Sequence, residues 1–296
     1  MSKLKIVPAG GRSDALRAAD RQPPMMSFAV CIPVYNGAAF LGEVLASIAE
    51  QDLSGVEVIV SDNASTDETP QILQDWSAKL PLRVIRQPKT LTMPENFNAL
   101  LDAVSTDAYA LICHDDYFAS PDALSKARQV LAENPDVSAV YCDLLYVDER
   151  RRLLARRRFG RSGRFSGEEA GRQTLRTARN CFGIALATRR EALGQLRYDD
   201  DFVYTMDVNH SWAVSRNKPA FHVPEPLIAN RYSATNNTWR LLKRAPREYI
   251  DLTKKYVGEP GPLERVRIGL VCTFTAAQRL LFHLYERARS WTAQAR

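Results

Sequence analysis

The stretch Ala-Tyr-Ala-Leu-Ile-Cys-His-Asp-Asp-Tyr-Phe-Ala-Ser-Pro occupies residues 108–121, where an apolar run of strand length stops at two adjacent carboxylates. Such a run, bounded by turn signals, predicts a buried strand of a parallel sheet, and α/β sheets bind ligands at the carboxyl ends of these strands. Asp115 and Asp116 would repel each other there unless a cation held them. They are therefore candidate ligands for Mg²⁺ or Mn²⁺. The alternative is a turn in which these residues cap the next helix.

Strands and helices alternate on both sides of this stretch. The other expected strands lie at residues 27–34, 56–60, 82–85 and 137–142, and the expected helices at 38–50, 70–80, 95–104 and 121–132. Short apolar runs that alternate with helices of about ten to fifteen residues predict βαβ units. The predicted fold class is α/β, a mostly parallel sheet flanked by helices.

Polar residues follow the first two expected strands. Tyr35 and Asn36 come after the first strand, and Asp62 comes at the end of the second. Loops that follow parallel strands open on one crevice, so these side chains are expected near Asp115. The Asp62 carboxylate can accept a hydrogen bond from a base N–H, and Tyr35 can stack beside the base. The alternatives are a simple turn at Asn36 and a helix cap at Asp62.

Composition restricts the class of protein. The chain has 296 residues, 45% of them apolar, which fits one large or two modest globular domains and excludes a fibrous or wholly disordered protein. Five cysteines occur singly, without a Cys-x-x-Cys pair, which predicts free thiols in a reducing compartment. No run approaches 18 apolar residues, so a membrane-spanning helix is not expected. Residues 1–26 lack an apolar signal-peptide core and are predicted to form a flexible tail.

Basic charge is concentrated in one segment. Residues 149–164 contain eight arginines and one glutamate, a net charge of +7 against +6 for the whole chain. This segment could bind an anionic membrane surface, a pyrophosphate-bearing acceptor, nucleic acid or only water. Nucleic acid is the least favoured of these, because the segment lacks interleaved aromatic residues and a nucleic-acid motif.

Three motifs occur in an order that resembles family 2 glycosyltransferases of the GT-A fold. They are Ile-Pro-Val-Tyr-Asn at residues 32–36, Val-Ser-Asp-Asn-Ala-Ser-Thr-Asp at 60–67 and His-Asp-Asp at 114–116. The resemblance covers residues 27–231. It implies an inverting transfer of a sugar from a nucleotide diphosphate sugar to an acceptor hydroxyl, with a divalent metal ion. It also implies that the donor is bound by Pro33, Tyr35, Asn36, Asp62 and Asp115.

One residue departs from the family pattern. Many members have Asp-x-Asp-Asp at the metal motif, and Cys113 occupies the first Asp position here. Asp115 and Asp116 must then divide the binding of the metal and the ribose between them. Successive side chains near a strand end point in different directions, so one of the two is expected to ligate directly, and the sequence leaves open which.

Two later residues complete the site that the resemblance implies. Asp207 opens an expected helix and resembles the family's catalytic base, with Met206 where a Glu often stands. A carboxylate at a helix start can accept the acceptor's proton. The alternatives are an N-cap role and a base among Asp199, Asp200 and Asp201. Arg231 ends a segment that resembles the one near the donor diphosphate.

The domain division follows from these motifs. Residues 27–143 form the expected nucleotide-binding half of the catalytic domain, 144–233 form the acceptor half, and 234–296 hold a lid loop at 234–238 and C-terminal helices at 239–256 and 263–288. The last helix mixes apolar residues with arginine. Packing on the domain, a dimer contact and binding to an anionic membrane are the alternatives for it.

The expected function is a metal-dependent glycosyltransferase of bacterial surface-glycan synthesis. Its partners would be a nucleotide diphosphate sugar and a glycan or lipid-linked acceptor, and its location the cytoplasm or the inner face of the membrane. Two alternatives are a nucleotidyltransferase and a basic membrane- or nucleic-acid-binding protein on a degenerate transferase fold. The first usually has a Gly-rich loop after its first strand, which residues 33–36 do not form.

Overall fold

The computed structural model describes residues 26–232 and 240–294. For Arg279 and residues 282–294 it describes the backbone alone. The predicted tail, up to residue 25, and the predicted lid loop at 234–238 lie outside the described residues. The first half of the sheet contains β1 (Phe28–Val34), β2 (Val56–Asp62), β3 (Leu82–Arg86) and β4 (Ala108–Leu111). These four strands are parallel, as predicted, and lie in the order β3-β2-β1-β4.

Helices α1 (Leu41–Ala49), α2 (Thr69–Trp76) and α3 (Met93–Ala103) connect these strands. Strand β1 is buried along its whole length, which explains its continuous apolar sequence. The start of α3 is fixed by a capping box, in which Thr92 accepts from the Glu95 backbone N–H and the Glu95 carboxylate accepts from that of Thr92. The carboxyl ends of β1, β2 and β4 therefore meet at one edge of the sheet.

The second half of the sheet contains both parallel and antiparallel pairings and continues the parallel first half of the predicted α/β fold. The elements are β5 (Tyr117–Phe118), α4 (Ala123–Glu133), β6 (Ala139–Val147), β7 (Leu153–Arg157), β8 (Gly163–Phe165), α5 (Gly167–Thr177), β9 (Ile184–Arg189), α6 (Arg190–Leu193), α7 (Met206–Ser215) and β10 (Ala220–Arg231). Strand β9 lies antiparallel between β4 and β6, and β10 pairs parallel to β6. The Arg-rich segment forms the antiparallel strands β7 and β8 at the sheet edge.

The sequence predicts a strand at residues 218–223, and β10 continues beyond it as far as Arg231. The register shifts around Pro226, between Val223 and Ile228. Proline has no backbone N–H to donate, so it interrupts the hydrogen bonds between two strands. A β-bulge at the proline lets the strand pairing continue beyond it. The irregularity around Pro226 is therefore a bulge within one twelve-residue strand.

The C-terminal helices α8 (Ala245–Tyr256) and α9 (Pro262–Gln294) pack on helices α5 and α7. Tyr256 stacks on Trp212 of α7 with ring centroids 4.3 Å apart, and Ile268 and Cys272 of α9 are buried in the same core. The first turns of α9 therefore follow the packing alternative. One face of α9 stays exposed and carries Leu263, Val266, Leu270, Phe274 and Leu281.

One prediction from composition agrees with the structure. The five cysteines are all free thiols, and Cys31, Cys142 and Cys272 are buried. Among the described residues, no helix combines the length and the apolar character needed to cross a membrane.

Candidate active site

A cavity of about 810 Å³ opens at the carboxyl ends of β1 and β4. Its lining includes five of the residues that the sequence singles out, and these come from distant parts of the chain. They are Pro33, Tyr35, Asp115, Asp116 and Asp207. Strand β9 and helix α7 supply the opposite wall. The structure therefore brings the candidate metal residues and the candidate base to one cavity.

The cavity contains a compact acidic cluster, formed by the loop that follows β4. Ligand atoms of Cys113, Asp115 and Asp116 all lie within 4.8 Å of one another. Both Asp116 carboxylate oxygens accept from Asn230 Nδ2, at 3.0 and 2.9 Å, and one of them accepts from the Arg231 backbone N–H at 3.1 Å.

Burial and the neighbouring Asp115 charge raise the pKa of Asp116 well above its usual range. Burial, followed by the two carboxylates, also raises the pKa of the Cys113 thiol. A cluster whose negative charges are so poorly compensated fits a divalent cation, and its oxygen donors suit Mg²⁺ or Mn²⁺.

Arg231 lies beneath this cluster and is fully buried. Its Nε donates to the Asp115 carbonyl at 3.0 Å, its Nη1 to the Glu149 carbonyl at 2.9 Å and its Nη2 to the Glu43 carboxylate at 2.7 Å. The described cavity lining does not include Arg231. Direct contact between Arg231 and a donor diphosphate stays a prediction, and it would require the guanidinium to leave these partners.

Asp207 lies in the first turn of α7, as predicted, and its carboxylate is exposed to the cavity. Its Oδ2 accepts from Asn180 Nδ2 at 2.9 Å. Asn180 is itself held, because its Oδ1 accepts from the Phe182 backbone N–H at 2.8 Å and Arg157 donates to its carbonyl. The carboxylate is thus oriented by a side chain that sequence reasoning did not identify as functional.

The three competing acids occupy a different place. Asp199 caps the short 3₁₀ helix Asp200–Phe202 by accepting from the Asp201 backbone N–H at 2.9 Å. None of the three acids at 199–201 is among the described lining residues. Asp207 is therefore the candidate base that the geometry favours.

His210 lies one turn after Asp207 on α7 and also lines the cavity. Burial lowers its pKa to about 4, so the ring is neutral near pH 7. Its Nε2 lies 3.2 Å from the Tyr109 hydroxyl, and its ring stacks on Tyr198 with centroids 4.8 Å apart. His210 thus packs as an uncharged wall of the cavity, and its three-residue spacing from Asp207 is the signal that places both on one helix face.

The two loops after β1 and β2 are joined by hydrogen bonds. Asn36 has φ +49° and accepts from the Thr66 backbone N–H at 2.8 Å, and its own N–H donates to Ser65 Oγ at 2.9 Å. Left-handed backbone is tolerated by Asn better than by most residues. Tyr35 is 47% exposed and lines the cavity, whereas Asn36 does not.

Asp62 is 1% exposed and lies behind the described lining. Its carboxylate accepts from the Ser65 backbone N–H at 2.9 Å and pairs with Arg86 of β3. The next residue, Asn63, does line the cavity. A nucleotide base that contacts Asp62 would therefore also meet Arg86, its ion-pair partner. Sequence reasoning did not identify Arg86.

A sheet that carries an acidic cluster at its strand ends, with an oriented carboxylate across the same cavity, defines an α/β protein of the GT-A class. Within that class, the chain belongs to glycosyl transferase family 2. The sequence model of this family matches residues 29–197. This membership confirms the resemblance carried by the three motifs and decides against the nucleotidyltransferase alternative.

Two curated relatives of this chain are named as sugar transferases. The poly(ribitol-phosphate) beta-N-acetylglucosaminyltransferase TarS of Staphylococcus aureus is 44% identical over 113 residues, which are 37% of this chain and 20% of that protein. The abequosyltransferase RfbV of Salmonella typhimurium is 30% identical over 131 residues, which are 41% of this chain and 39% of that protein. The alignments thus span well under half of each relative.

Solved structures show the same fold. A crystal structure of TarS 1–349 in complex with UDP-GlcNAc matches with a TM-score of 0.64 and 17% identity, and covers 82% of this chain and 70% of that chain. The mannosyltransferase PcManGT from Pyrobaculum calidifontis, in complex with GDP-Man and Mn²⁺, matches with a TM-score of 0.55 and 19% identity, and covers 94% of this chain and 88% of that chain.

Proposed function

We propose that the protein is an inverting, metal-dependent glycosyltransferase that moves a sugar from a nucleotide diphosphate sugar to an acceptor hydroxyl. The observation that carries this proposal is the shared cavity of the Asp115–Asp116 cluster and the Asn180-bound Asp207. The relatives TarS and RfbV support a role in bacterial surface-glycan synthesis, with a glycan or lipid-linked acceptor.

Each residue has a distinct task in this reaction. Asp115 and Asp116, with the Cys113 thiol beside them, would hold Mg²⁺ or Mn²⁺. The ion, when bound, supplies positive charge to the departing diphosphate. Asp207 accepts the proton of the acceptor hydroxyl as its oxygen attacks the anomeric carbon from the face opposite the leaving group. Attack from that face inverts the configuration of the anomeric carbon.

The donor base is placed at the other end of the cavity. Tyr35 stacks on the base beside Pro33, and Asn36 keeps the two loops together through its bonds to Ser65 and Thr66. For Asp62 to accept from a base N–H, the base must reach behind the described lining, where the carboxylate pairs with Arg86. This placement leaves the sugar between the base and Asp207, within reach of an acceptor.

The test combines a binding and a turnover measurement. Titration calorimetry with UDP and GDP, with and without Mn²⁺, should show metal-dependent binding that the Asp115→Ala, Asp116→Ala double variant loses. Asp207→Asn should keep binding but lower turnover by about 100-fold or more, since a general base typically contributes that much.

Asp201→Asn is the matched control, because Asp201 is exposed and lies outside the described cavity lining. Unchanged metal-dependent binding in the double variant would refute the metal assignment. Turnover of Asp207→Asn within about threefold of the parent would refute the base assignment.

A further inference from the structure

The turn that leads into α7 is held by a residue from a distant part of the chain. Thr205 occupies the N-cap position of α7, two residues before Asp207. One carboxylate oxygen of Glu248, in α8, accepts from the backbone N–H groups of Tyr204 and Thr205, both at 2.8 Å, and from Thr205 Oγ1 at 3.0 Å. Three hydrogen bonds to one oxygen thus fix two consecutive residues of this turn.

Glu248 is a buried charge whose second oxygen is also paired. The residue is 1% exposed, and its other carboxylate oxygen accepts from Arg244 Nε at 2.7 Å. Arg244 Nη2 in turn donates to the Asp200 carbonyl at 2.8 Å. Removing a carboxylate from water is costly, and an apolar side chain of similar size would fill the space without that cost. Packing alone therefore does not explain a glutamate at this position.

Helix α8, which lies outside the residues that the family's sequence model matches, also contacts the next turn of α7. The Tyr256 hydroxyl lies 3.1 Å from the Asn209 backbone oxygen and 2.8 Å from Asn209 Oδ1. Asn209 follows Asp207 by two residues, so α8 holds α7 on both sides of the candidate base. The held turn faces the cavity, whose lining includes Tyr204, Met206 and Asp207.

We propose that Glu248 is a positioning residue for the base, because it fixes the backbone from which the Asp207 side chain enters the cavity. This inference rests on the proposed function. Asn180 holds the Asp207 carboxylate, whereas Glu248 holds the backbone that precedes it. A base fixed in this way stays within reach of the acceptor hydroxyl, and small misplacements of a catalytic group slow the chemical step. The assignment gives a C-terminal helix a part in the active site.

The first test measures turnover and donor affinity separately. Release of the nucleoside diphosphate from UDP-GlcNAc and from GDP-Man, with water as the acceptor, gives kcat and KM for the parent and each variant. We expect Glu248→Leu to lower kcat by roughly tenfold or more and to leave KM for the donor unchanged, because the base acts in the chemical step alone. Glu248→Gln should recover part of kcat, since its amide oxygen can accept from the same N–H groups.

Thr205 supplies a second, milder variant. Thr205→Val removes one of the three hydrogen bonds and keeps the shape of the side chain, so kcat should fall by less than in Glu248→Leu. Thr205→Ser keeps the hydroxyl and should behave as the parent does. This pair decides the inference if Glu248→Leu does not fold, because an equal kcat in Thr205→Val and Thr205→Ser would overturn it.

Hydrogen exchange provides a readout that needs no substrate. The amide N–H groups of Tyr204 and Thr205 donate to Glu248, and a hydrogen-bonded amide is protected until its segment opens. A peptide that covers residues 203–209 should therefore exchange roughly tenfold faster in Glu248→Leu. Leu131→Ala is the control for lost stability, because Leu131 is buried in α4 and belongs to a different hydrophobic cluster. It should leave the exchange of this peptide and the kcat of the folded chain unchanged.

Arg247→Leu is the matched control on the same helix, because Arg247 neighbours Glu248 but its side chain is 80% exposed and pairs with Asp251. It should behave as the parent does in both tests. Unchanged exchange of the peptide in Glu248→Leu would overturn the inference. A kcat within about threefold of the parent, in an assay in which Asp207→Asn is inactive, would do the same and leave the proposed function standing. Turnover that Asp207→Asn retains would instead refute the base assignment itself.

Discussion

At the scale of single residues, the direction of the Asp207 carboxylate depends on Asn180. Replacing Asn180 with Ala removes the 2.9 Å hydrogen bond and frees the carboxylate to rotate. We expect turnover to fall by roughly tenfold with nucleotide affinity unchanged, because misplacement of a catalytic group weakens the chemical step. Asn217→Ala, at an exposed site outside the described lining, is the control.

A second substitution at the same residue tests the electrostatics of the base. Asn180→Asp places a like charge beside Asp207, which disfavours its ionised form and raises its pKa. A base with a raised pKa becomes protonated at higher pH, so the acidic limb of the profile of kcat/KM against pH should move upward. A profile that coincides with that of the parent would show that Asn180 does not act on the base.

The site illustrates what motifs can and cannot locate. The order of the motifs indicated Pro33, Tyr35, Asp115, Asp116 and Asp207, and all five line one cavity. The same reasoning could not place the Arg231 guanidinium, because its partner Glu43 lies 188 residues away in the chain. Whether a side chain points into a cavity or beneath it depends on tertiary packing, which no local pattern encodes.

At the scale of elements, Arg231 joins the end of β10 to α1 and to the loop after β4. The guanidinium is fully buried, whereas the Glu43 side chain is 40% exposed, so water partly screens the pair. Arg231→Ala leaves two backbone carbonyls without their donor, and we expect it to lower the free energy of unfolding by about 2 kcal/mol. Metal-dependent nucleotide binding should weaken as well, because the acidic loop loses its support.

Urea denaturation measures the first effect and titration calorimetry the second. Arg152→Ala is the control, because Arg152 is exposed and pairs with Asp148 on the surface. It should change the free energy of unfolding by no more than about 0.5 kcal/mol. A comparably small change in Arg231→Ala would contradict the structural role of that residue.

Strand directions show a second limit of sequence reasoning. Apolar periodicity indicated β1 to β4 and their helices, and the alternation correctly implied that these strands are parallel. Nothing in the composition of strand β9 indicates that it runs antiparallel between β4 and β6. A strand's direction is set by the path of the chain around it. Strand β5 has two residues and is too short to show an apolar periodicity.

At the scale of the whole molecule, the Arg-rich edge and the exposed face of α9 suit an anionic membrane surface. Several arginines of the edge are already engaged, since Arg151 stacks on Tyr117, Arg152 pairs with Asp148, and Arg164 pairs with Asp136. Within the described chain, the exposed side chains of Arg150, Arg156 and Arg158 make no ion pair or ring contact. Three such residues give an attraction of about 3 kcal/mol, which salt should screen.

Cosedimentation with liposomes tests this attraction. We expect binding to vesicles that contain phosphatidylserine at low salt, loss of that binding at high salt, and little binding to phosphatidylcholine alone. A variant with serine at Arg150, Arg156 and Arg158 should bind less than a control with serine at Lys79, Arg83 and Lys89, which removes the same charge from the other half. Equal, negligible sedimentation with both vesicle types would refute membrane binding and leave the enzymatic proposal intact.

The bond between Asn230 and Asp116 has a consequence for how the chain is made. These residues are 114 positions apart, and strands β1 to β4 precede both. Proteins are synthesised from the N-terminus at about 5–20 residues per second, so Asn230 follows Asp116 from the ribosome after roughly ten seconds. During that interval a nascent chain carries the two carboxylates without the strand that holds them. Assembly of the acidic cluster thus waits for the synthesis of β10, and a truncated chain that ends before β10 lacks the support of that cluster.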